Sequence, residues 1–75
     1  NMDMVSPLSK VMLHEMSLGE LRTMAFLLEP QLNGDVIWDA GKTTAVRTLL
    51  EVMGRKKRLP DVMQYIRDNR KDIEI

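Results

Sequence analysis

Ala40–Gly41–Lys42–Thr43–Thr44 is the segment that comes nearest to a reactive site. Glycine, lysine and threonine opening a helix could offer a phosphate backbone N–H groups, an ammonium and a magnesium-binding hydroxyl. The spacing excludes that chemistry: the first glycine of a phosphate loop would fall at position 36, which is Val36, and no strand precedes it to aim the loop. Thr43 therefore reads as a plain helix start. His14 is the only histidine, and Lys10, four residues earlier, is a cationic neighbour that suits neither a metal ligand nor a general base. The chain has no cysteine to complete a zinc set. Asp61 and Asp68 fall on the solvent side of the last predicted helix, with nothing apolar around them to prepare a carboxyl for acid–base work. The expectation is a non-enzymatic domain with no catalytic residue, cofactor, metal or small-molecule substrate, whose function lies in its surface.

Two surface features carry that expectation. Arg55, Lys56, Lys57 and Arg58 form the one concentrated charge, just beyond the C-terminal end of a predicted helix. Cations there complement the negative end of the helix dipole, which accounts for one or two of them. Four in succession point to a partner, either an acidic protein face or phosphate. Against nucleic acid, the three aromatics Phe26, Trp38 and Tyr65 do not interleave with the basic run for base stacking, and Asp61, Gln64 and Asp68 present acid where a reading helix needs base contacts. The second feature is Phe26–Leu27, which lies well off the inward stripe of its helix. Either that helix is central and covered on two sides, or the pair is an exposed anchor for another domain.

Composition bounds the class. Seventy-five residues make one small domain, which buries about 60–65% of its unfolded surface. An apolar fraction of 44% with 29% charged residues is globular rather than disordered. A formal net charge of zero excludes a global attraction to nucleic acid or anionic lipid, so any electrostatic partner is read by a local patch. The absence of cysteine fits a reducing compartment, and a cytoplasmic location is expected. No apolar run approaches the ~20 residues of a membrane helix. Asn1 ahead of Met2 reads as a residue left by cloning, with 1–5 as a flexible tail and 6–75 as a single domain.

Periodicity supplies the elements. Ser6 and Pro7 suggest an N-cap and first helical residue for a helix over 7–15 with Leu8, Val11, Met12 and Met16 inward. Ser17 and Glu20 form a capping box that starts a second helix, with Leu18, Leu21, Met24, Ala25 and Leu28 inward and Pro30 as its stop. The stretch 30–41 is turn-rich around Val36, Ile37 and Trp38, so one helical turn or an ordered loop is expected. Trp38 should plug one end of the core, its indole N–H finding a partner. A helix over 43–53 turns Val46, Leu49, Leu50 and Met53 inward, pairs Arg47 with Glu51 outside, and ends at Gly54 as a left-handed cap. A last helix from Pro60 turns Val62, Met63, Ile66 and Ile73 inward. Nothing alternates with period two. The class expected is all-α, a compact antiparallel bundle.

Ser17–Pro30 (SLGELRTMAFLLEP) and Gly41–Ile73 carry a resemblance. They resemble the effector-associated domains of bacterial conflict systems, the seventh type in particular, with a Ser, a Glu-Leu-Arg run, a Gly-x-x-Lys/Thr helix start and a Gly-Arg-Leu before the last helix. The chain is also similar to the animal death effector domains, though without their Arg-x-Asp-Leu pattern. The likeness spans about 6–73; Lys56, Lys57 and Arg58 lengthen the Gly-Arg-Leu turn, and almost no chain is left after Asp72 for a sixth helix. The resemblance implies a five- to six-helix death-fold-like bundle, a detachable adaptor that recruits an effector carrying a matching domain in bacterial defence or signalling. The expected partner is a protein with a similar helical domain, self-association included. Arg55 to Arg58 on one end, and Glu29, Asp35 and Asp39 on another, would make head-to-tail contacts, with Phe26 and Leu27 as anchors and Arg47 as a further partner-binding residue. The alternatives are a small nucleic-acid-binding bundle using 55–58, or a docking or dimerisation domain of a larger enzyme.

Overall fold

The structure, a computed structural model, describes residues 5–75, the side chain of Asn33 apart. Of the flexible tail expected at 1–5, residues 1–4 with the cloning residue lie outside the described residues, whereas Val5 is not tail but part of α1. Among the described residues there are four α-helices, α1 (Val5–His14), α2 (Leu18–Leu28), α3 (Lys42–Arg55) and α4 (Leu59–Asn69), with short turns between them except from α2 to α3, where one 3-10 helix, Pro30–Gly34, and a loop over 35–41 make the connection. There is no strand among the described residues. No helix among them is long and apolar enough to cross a membrane.

The helix ends show which local signals decide. Helix α1 is already formed at Val5, so Ser6 and Pro7 lie within it rather than capping it. Proline is tolerated near a helix start because the first N–H groups of a helix have no intrahelical acceptor. The capping box of α2 forms as expected: Ser17 Oγ accepts from the Glu20 N–H at 3.1 Å, and the Ser17 N–H donates to Glu20 Oε1 at 3.0 Å. Helical structure in the 30–41 stretch is the 3-10 turn at Pro30–Gly34, while Val36–Trp38 are ordered without helix. Gly41 precedes α3 with φ 101°, a region that disfavours any residue with a Cβ. Gly54 does not end α3; the helix runs through it to Arg55, and the left-handed residue is Lys57, φ 59°.

Helix α3 is the central element. It packs against α1, α2 and α4, and buries Ala45, Val46, Thr48, Leu49, Leu50, Val52 and Met53. Around it close Leu8 and Met12 of α1, Leu21, Met24 and Ala25 of α2, Leu32 of the 3-10 helix, and Val62 and Ile66 of α4. Helical periodicity predicts the centre of each stripe; Ala45, Thr48 and Val52 widen the buried face of α3, Val11, Leu18, Leu28 and Met63 are half-buried at the edges, and Ile73 packs from beyond the end of α4. Helix α2 is not covered on two sides, which leaves Phe26 57% and Leu27 60% exposed.

Polar side chains fasten the connections. Thr48 Oγ1 accepts from the Ile37 N–H at 3.1 Å and donates to the Thr44 carbonyl at 2.9 Å, holding the long loop against α3. Trp38 packs its ring on the core and lies under the Arg22 guanidinium, 5.4 Å from the ring centroid. The expected partner for its indole is missing: Nε1 is buried with no acceptor among the described residues.

Candidate protein-binding surface

The four cations after α3 separate into two kinds. Arg58 is a structural clamp. Its Nη1 donates to the Leu28 carbonyl at 2.8 Å and to Glu29 Oε1 at 2.7 Å, while Nε donates to Asp61 Oδ2 at 2.9 Å. It thus ties the end of α2 to the first turn of α4, and these hydrogen bonds, Asp61 first, hold the guanidinium more firmly protonated. Lys56 reaches Glu29 Oε2 at 3.7 Å. Arg55 and Lys57 are exposed and make no ion pair among the described residues.

That arrangement corrects the expected separation of charge. Glu29 sits at the basic end, bound to Arg58 and Lys56, rather than at an opposing acidic end. Asp35 and Asp39 are exposed in the loop after the 3-10 helix and form no ion pair among the described residues. Arg47 pairs with Glu51 at 3.4 Å, both side chains more than half exposed, so the pair contributes little to stability.

A groove that the sequence reading missed lies between α1 and α3. It has a volume of about 450 Å³ and is lined by Val5, Leu13, Val46 and Leu50, with Arg47 and Glu51 alongside. Its signal was present in the spacing. Val5, Ser9 and Leu13 recur every four residues on a second face of α1, beside the core stripe of Leu8, Met12 and Met16. No residue of α2 lines it, so the groove and the exposed Phe26–Leu27 pair are separate surfaces. Lys42 does not cradle an anion either: its Nζ donates to the Leu13 carbonyl at 2.8 Å, closing the end of α1. Among the described residues no group of three or more His, Asp or Glu could hold a metal ion.

A second clamp also escaped the sequence reading. Arg70 Nη1 donates to the Glu15 carbonyl at 2.8 Å and to both Glu20 oxygens at 3.0 Å, while Nε and Nη2 meet Asp72 at 3.0 and 2.8 Å. The Ser17 N–H, and then Arg70, hold the Glu20 carboxyl below its ordinary 4.5 against the desolvation that opposes them. The Arg70 guanidinium holds Asp72 below 3.8. Carboxyl groups with depressed folded pKa values contribute stability that is present above their ordinary range and disappears as pH falls through the folded values. Tm is therefore expected to fall as pH drops from 5 toward 3. Glu20→Gln should have the lower Tm at pH 6 and converge on the wild type near pH 3; parallel curves across that range would contradict the clamp. Solvent screening keeps the effect modest.

Comparison with known proteins finds no family model, no curated protein and no solved structure that matches the chain.

Proposed function

We propose that this domain is a non-enzymatic adaptor which binds a similar helical domain, a second copy included, and recruits an effector in a bacterial defence or signalling system. Its setting in this reading is the cytoplasm. The fold is read as an antiparallel, death-fold-like bundle of five helical elements, the 3-10 helix standing between α2 and α3 as a short third member. One observation carries the proposal. An apolar pair, Phe26–Leu27, projects from α2, while an apolar groove opens on the α1–α3 side of the same molecule. A projection and a hollow on different faces give a head-to-tail contact that need not close on itself, so copies can be chained. Large exposed apolar side chains beside polar surroundings are the usual anchors of such contacts.

The charge pattern disfavours nucleic acid. With Arg58 and Lys56 drawn to Glu29, the basic turn offers only Arg55 and Lys57 without an ion pair among the described residues, whereas affinity for phosphate backbones grows with the number of phosphates neutralised. The test is molar mass by sedimentation over about 10 µM to 1 mM, a range suited to the weak end of protein contacts. Mass is expected to rise with concentration. A monomer at every concentration, at both low and high salt, overturns the proposal.

A further inference from the structure

The turn that ends α3 is built at a conformational cost. The Arg58 N–H donates to the Met53 carbonyl at 2.9 Å and the Lys57 N–H to the Gly54 carbonyl at 3.0 Å, the two-bond closure that requires a left-handed residue between helix end and exit. Lys57 occupies that position with φ 59°. Glycine suits it better, because a left-handed L-residue brings its Cβ against the following carbonyl oxygen. The glycine nearby, Gly54, instead lies inside α3, where it weakens the helix. Folding alone is poorly served by this order. What lysine adds is an ammonium, aimed into solvent from a turn whose backbone is fixed by two hydrogen bonds.

Charge names the occupant. Arg55 and Lys57 are exposed and unpaired among the described residues, and so are Asp35 and Asp39 on the loop before α3. Equal and opposite unpaired charges on two segments of one chain suit two copies better than a polyanion. The placement also agrees with the apolar surfaces. Arg55 follows Arg47 and Glu51 at four-residue steps along α3, so it extends the row that borders the groove. The aspartates follow Phe26–Leu27 through the 3-10 helix packed on α2. We infer that the left-handed turn presents Arg55 and Lys57 to the Asp35–Asp39 loop of a second copy and sets the register of the head-to-tail contact. This rests on the adaptor reading above.

The test compares self-association and thermal stability in variants of the 75-residue chain. Lys57→Gly should raise Tm by about 2–5 °C and yet weaken association about threefold at 50 mM salt, with little difference at 500 mM. Arg55→Glu with Lys57→Glu should weaken it about tenfold or more, and mixing that variant with Asp35→Lys, Asp39→Lys should restore it. Unchanged association after the reversal, while Phe26→Ser with Leu27→Ser abolishes it, overturns this inference and leaves the adaptor reading standing. Loss without rescue by the reversed loop also overturns it, as does a gain of binding to a 24-base-pair duplex in place of self-association. No association by the wild type overturns both.

Discussion

Leu49→Ala is expected to destabilise the domain by about 2–5 kcal/mol and to lower Tm by on the order of 10–30 °C. Leu49 is fully buried on α3, the helix that packs against α1, α2 and α4, so the cavity left by truncation has walls on several helices that cannot all close in. A domain of this length has roughly 4–11 kcal/mol of stability in total, and a loss at the upper end of the range leaves a large unfolded fraction at 37 °C. Denaturant melts of Leu49→Ala and Leu27→Ala side by side give the comparison. The exposed site should move by no more than about 0.5 kcal/mol. Equal shifts at the two positions would contradict a central α3.

Phe26→Ser combined with Leu27→Ser has the largest expected effect on association. Both side chains are more than half exposed in the isolated domain, so covering them in a contact removes about half the apolar surface of each. At 1.5–3 kcal/mol for complete burial of such a side chain, the pair contributes about 2–3 kcal/mol, equivalent to a 30- to 150-fold loss of affinity. The fold should be unharmed, with Tm changed by only a few degrees. Sedimentation over the same concentration range, with a melt on the same samples, reads both quantities. Undiminished association would remove Phe26–Leu27 from the interface.

The sequence made legible what is local. The Ser17–Glu20 capping box, the Arg47–Glu51 pair and the buried stripes of all four helices depend on neighbours within four residues, and each is found in the structure. Arg58 shows the opposite case. Its position beyond a helix end suggested a free cation, yet it meets Leu28 and Glu29, some thirty residues away in the chain. Arg70 and Glu20 are fifty residues apart. Such pairs arise when two helix ends meet, and no periodicity within either helix encodes the meeting. Glu29 was placed at the wrong end for the same reason. The choice between a covered and an uncovered α2 needed the knowledge that α3 is the central helix. Gly54 misled in another way: glycine often closes a helix, but stopping there would shorten the turn that carries Arg58 to the end of α2.

The clamp at Arg70 changes where the cooperative unit stops. The last helix finishes at Asn69, but Arg70 is bolted to the corner between α1 and α2, Ile73 and Ile75 rest on the apolar interior, and the Arg67 Nε donates to the Ile75 carbonyl at 3.2 Å. An excision guided by helix limits alone would strip the Glu15 carbonyl of its donor and bare the interior beneath the two isoleucines. Cutting the chain after Asn69 is therefore expected to loosen the corner between α1 and α2, although every helix would keep its full length.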